Sequence, residues 1–134
     1  MARFREQIAC YLDLARHGDA DNAFHGLREL GDDALPALVE AFGKERDASI
    51  RELLIQAIWE MRNASAIAVL HAALRDSDRR VRYQALDGLV AFASPEALAV
   101  LQEARSLVLS SRSERLEFRQ YHDEAIEQVL AGGF

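Results

Sequence analysis

Along residues 47–61, DASIRELLIQAIWEM, apolar side chains recur at Ile50, Leu54, Ala57, Ile58 and Met61. At about 3.6 residues per turn these positions share one side of a helix. The stretch 78–92, DRRVRYQALDGLVAF, carries the same pattern 31 residues later. Asp47 aligns with Asp78, Ile50 with Val81, Arg51 with Arg82, Ala57 with Gly88 and Ile58 with Leu89. The offset continues outside these segments, through Leu38-Val39, Val69-Leu70 and Val100-Leu101. Asp32, Asn63 and Ser94 are spaced the same way, and each is a residue type that caps a helix by accepting hydrogen bonds from free backbone N–H groups. Pro95 and Glu96 after Ser94 suit a first helical turn.

The period predicts units of two helices each. The first helices run over about 33–43, 64–75 and 95–108. Their mates run over about 47–61, 78–92 and 114–131. An opening pair is expected over about 3–16, with Phe4, Ile8, Tyr11 and Leu12 on one face, and about 20–30. The expected fold is all-α, with about eight helices in four antiparallel hairpins. Residues 1–134 form one domain in this reading, with repeats at about 3–30, 33–61, 64–92 and 95–131. No hairpin buries its apolar face alone, so stacking must supply the core. The ends deviate: helix 20–30 is short, and the C-terminal register of Phe118, His122, Ala125, Ile126 and Val129 runs about six residues late, after LSSRSER. Atypical terminal units are expected where a stack meets water, and with Met1 they suggest a complete chain.

LPALVEAF, a turn with Asp47, and IRELLIQAI resemble a HEAT repeat, as does IAVLHAALRDSDRRVRYQALDGL. Pro36, Asp47 and Ile50-Arg51 match the family pattern in one unit; Asp78 and Val81-Arg82 match it in the next, where Ile67 replaces the proline. The Asp-x-x-Val-Arg-x-x-Ala string is most similar to the short bacterial HEAT-like subgroup that includes phycobilin lyase subunits. The resemblance is specific over about 33–108 and weak at both ends. It implies a right-handed α-α superhelix, an armadillo-like solenoid whose second helices line a concave face.

Opposite its buried side, the helix at 47–61 carries Glu52, Ile55, Gln56 and Trp59; the next second helix carries Arg79, Tyr83, Leu86, Asp87 and Val90. A helix with one buried face should be polar there, yet five of these are large and apolar or aromatic. Phe24, His25 and Arg28 take similar places in the opening unit. Packing between neighbouring second helices would account for Ile55 and Leu86. Trp59 and Tyr83 are expected to point away from the core, and such anchors mark contact surfaces. The partner-binding strip is therefore expected at Glu52, Ile55, Trp59, Arg79, Tyr83, Leu86, Asp87 and Val90. Of the arginines in RDSDRRVRYQAL, Arg75 closes a helix and Arg80 is solvated. Arg82, like Arg51, is expected to bond the turn aspartates or nearby carbonyls. Arg79 alone is left for a partner.

Charge narrows the partner. Sixteen basic against twenty-two acidic residues give a net charge of −6, which disfavours phosphate backbones and so nucleic acid. HEAT-like DNA glycosylases also have more repeats and a basic concave face. No apolar run approaches the roughly 20 residues of a membrane span, so no membrane is expected. Cys10 is the single cysteine, which excludes an intrachain disulfide and fits a cytoplasmic setting. It is expected to be a buried structural thiol.

Catalytic motifs are missing. There is no HExxH, zinc-spaced Cys/His cluster, GxSxG, P-loop or dinucleotide glycine pattern. The paired His-Glu dipeptides of HEAT-like di-iron hydroxylases are missing too. No catalytic residue, metal or cofactor is expected; His122 falls in the apolar register as a packed histidine. The leading expectation is a non-enzymatic protein-binding module or adaptor, monomeric or weakly homodimeric. The alternatives are an enzyme accessory or bilin lyase-like subunit, and an inhibitor or immunity-type protein.

Overall fold

The computed structural model describes residues 2–104 and 112–132, with the side chains of 112–118 excepted. Among them are eight α-helices: α1 (Ala2–Arg16), α2 (Ala20–Glu29), α3 (Leu35–Lys44), α4 (Ala48–Glu60), α5 (Ala66–Ala73), α6 (Arg79–Phe92), α7 (Pro95–Glu103) and α8 (Arg112–Ala131). No strand occurs among the described residues, and the fold is all-α. Residues 109–111 of LSSRSER, the side chains of its other four residues and the Phe118 side chain lie outside the described residues.

The helices start where short polar side chains satisfy open backbone donors. Asp19 accepts from the Asn22 amide at 3.3 Å, Asp47 from Ile50 at 3.2 Å, Asp78 from Arg80 at 2.8 Å and Ser94 from Ala97 at 3.2 Å. Two expected caps behave differently. Asp32 does not cap α3: it opens a 3₁₀ turn, Asp32–Ala34, entered through Gly31 at φ +83°, and α3 follows without a side-chain cap. Asn63 closes its own turn, accepting from the Ser65 amide at 3.0 Å and hydroxyl at 2.7 Å, and α5 begins at Ala66. The second helices α4 and α6 are each followed by a left-handed residue at the same repeat position, Arg62 (φ 56°) and Ala93 (φ 48°).

Arg51 and Arg82 do one job at equivalent places. Each reaches back over its turn to the carbonyls at the end of the preceding helix. Arg51 Nη1 donates to Phe42 O at 2.7 Å and Glu45 O at 2.9 Å; Arg82 Nη1 donates to Asp76 O at 2.9 Å and Ser77 O at 3.2 Å. The Arg51 guanidinium also lies 4.0 Å from the Phe42 ring centroid. Arg82 is buried and Arg51 half-buried. Arg80 is exposed but not merely solvated, since its Nε pairs with Asp78 at 3.2 Å.

The chain falls into two compact units, Met1–Ala66 and Ile67–Phe134. In the first, α1 pairs with α2 and α3 with α4, while α1 lies on α3 and α2 on α4. Ile8, Leu12, Leu27, Leu38, Leu54 and Ile58 fill the space between them. In the second, α6, α7 and α8 pack on one another around Val81, Leu89, Leu101, His122 and Val129. First helices lie beside first and second beside second in the opening unit, as the stacking of apolar hairpins requires.

Ion pairs tie the first unit across its hairpins. Arg16 of α1 donates to Glu45 at 2.6 Å, and Glu45 also accepts from the amides of Arg46 and Asp47 at 3.2 and 3.1 Å. The Arg16 hydrogen bonds hold the Glu45 carboxyl below its ordinary 4.5. A lowered carboxyl stabilises the fold fully above that ordinary value, and the contribution is lost as pH falls through the folded value. Glu45→Gln keeps the shape without the charge. Its melting temperature should therefore fall less steeply than that of the unaltered chain as pH drops below 4.5. Parallel pH profiles from differential scanning calorimetry would show that the pair contributes nothing.

Candidate functional site

A groove opens between successive second helices in each unit. In the first unit it lies between α2 and α4 and encloses about 310 Å³. Ile50 and Leu53 form its floor, Phe24 one wall, and Asp21, Glu52 and Gln56 its polar lining. The register explains this: Phe24 lies one residue past buried Ala23, and Glu52 and Gln56 each border buried positions on α4. Both therefore sit half-buried at the edge of the packed face.

In the second unit the groove lies between α6 and α8. Tyr83, Gln120, Tyr121 and Glu124 line about 270 Å³ of it, and Asp87 and Val90 line a smaller pocket with Tyr121. The Tyr83 and Tyr121 rings stack with centroids 4.6 Å apart and planes 7° from parallel. Arg79 lies 5.8 Å from the Tyr83 centroid. The Tyr121 hydroxyl donates to the Asp87 carboxylate. Burial first, and then the Asp87 bond, push the Tyr121 phenol up to about 12. Tyr121 is thus a neutral donor across the working pH range, and Asp87 holds it in place.

The two grooves use equivalent positions: Glu52 in one stands where Tyr83 stands in the other, and Gln56 where Asp87 stands, 31 residues on. The family model described as HEAT repeats matches residues 35–107, more than half of the 134. The chain belongs to the HEAT-repeat family. No curated protein and no solved structure matches this HEAT-repeat chain significantly.

Several site expectations change in this HEAT-repeat protein. Ile55 and Leu86 are fully buried and present no surface to a partner. Each is flanked by buried positions on its helix, so the packed side of α4 and α6 is wider than one apolar stripe. Tyr83 does not project freely: α8 supplies Tyr121 to cover one ring face. Trp59 is half-buried, with Arg62 5.5 Å from its ring. Its neighbour Glu60 accepts from Gln56 at 3.2 Å and meets Arg28 at 4.0 Å. Arg79 and Asp87 are exposed, while Glu52 and Val90 are half-buried.

Cys10 is exposed, not buried. Ile8 and Leu12 define the buried side of α1, and a residue two positions from each falls on the far side of the helix. His122 is fully buried, and its Nε2 donates to the Leu101 carbonyl, tying α8 to α7. Among the described residues no three His, Cys, Asp or Glu side chains stand together as a metal site. No described helix is long and apolar enough to cross a membrane.

Tyr121 is the site residue that the sequence pattern hides. It stands 31 residues after Val90, which stands 31 after Trp59, but the apolar register of α8 runs about six residues late, so that alignment does not mark its place on the helix. The available signal was its own helix: Tyr121, Ala125 and Gln128 follow the spacing of a flank that meets α6.

Proposed function

We propose that this HEAT-repeat protein is a non-enzymatic binding module, and that it takes a partner protein on the surface of its second helices. The observation that supports this is the recurrence of an open groove at equivalent repeat positions in both units, lined by aromatic and charged side chains. Tyr, Trp and Arg at the rim of an apolar recess are the usual anchors of protein interfaces. The stacked tyrosines cost little further ordering when a partner arrives, because Asp87 and Arg79 already bracket them. A cytosolic setting belongs to the same reading, since the single thiol, Cys10, is exposed. The lyase-like subgroup, the enzyme-accessory reading and the inhibitor reading have no feature of the grooves behind them.

The test uses the rim, because removing Tyr83 would also unstack Tyr121. Arg79→Glu with Glu124→Arg exchanges two exposed charges, and circular dichroism with the melting temperature, measured alongside, separates a loss of binding from a loss of folding. The same immobilised variant should fail to retain a protein that the unaltered chain captures from cell extract, a loss of about tenfold or more. Equal capture by both would remove the second-helix surface from the interaction.

A further inference from the structure

We draw no further inference here: the strongest candidate, the apolar groove between α1 and α3 lined by Ile8, Leu12 and Ala37 and edged by Arg5, Glu40 and Lys44, carries nothing because both of its cations are already paired with Glu40 and nothing in the structure shows what covers it.

Discussion

Arg82→Ala is expected to destabilise the chain by about 3 kcal/mol, measured as a lower midpoint in urea followed by circular dichroism. The guanidinium is almost fully buried and donates to two carbonyls, Asp76 O and Ser77 O, in the turn before α6. These carbonyls follow α5 and have no intrahelical donor to satisfy them. Truncation removes two charge-assisted bonds made by a buried side chain. It also empties the space that the aliphatic stem fills. Arg51→Ala breaks the equivalent bonds on a half-buried side chain, where water replaces them at lower cost, so about half the effect is expected there. Arg82→Lys keeps the charge but loses the planar fork, and should fall between alanine and the unaltered chain. An Arg82→Ala midpoint equivalent to a loss below about 0.5 kcal/mol would show that the turn is held by other contacts.

The repeated hairpins were legible because a period is a strong signal. A 31-residue offset that aligns Leu38, Val69 and Val100 leaves few folds other than stacked helix pairs. Helix ends were legible where chemistry marks them, as at Asp47, Asp78 and Ser94. They were misplaced where geometry replaces chemistry. Asp32 has the right side chain for a cap, but Gly31 at positive φ starts a 3₁₀ turn there instead. Arg62 and Ala93 adopt the left-handed conformation although neither is glycine or asparagine, so no local signal marks those turns.

The candidate site was legible only on one side. A helical wheel of α4 and α6 finds the positions opposite the buried stripe, and Glu52, Arg79 and Asp87 do line or rim grooves. A wheel cannot tell how wide the packed side is. Ile55 and Leu86 are lost to it because each second helix has neighbours on more than one flank. Nor does a wheel supply the opposite wall. Phe24 and Asp21 come from the preceding second helix and Tyr121 from the following one, and their registers lie outside the clear part of the period. A groove between two helices is a property of both, whereas the sequence pattern reads each helix alone.

A close approach between α1 and α2 gives the second large prediction. Gly26 of α2 faces Tyr11 of α1, and a Cβ on Gly26 would stand 2.2 to 2.6 Å from three atoms of the Tyr11 ring. Overpacking of this kind costs up to about 3 kcal/mol. Alanine also gains about 1 kcal/mol over glycine in a helix interior. Gly26→Ala should therefore destabilise the chain by about 2 kcal/mol net, read from the urea midpoint. The origin of the loss can be separated from any effect on the backbone. In a Tyr11→Ala background the clash vanishes and only the helix preference remains, so the same Gly26→Ala change should stabilise by up to about 1 kcal/mol. A change of sign between the two backgrounds marks the ring as the cause. If Gly26→Ala destabilises equally with and without the Tyr11 ring, the glycine is needed for some reason other than the α1–α2 approach.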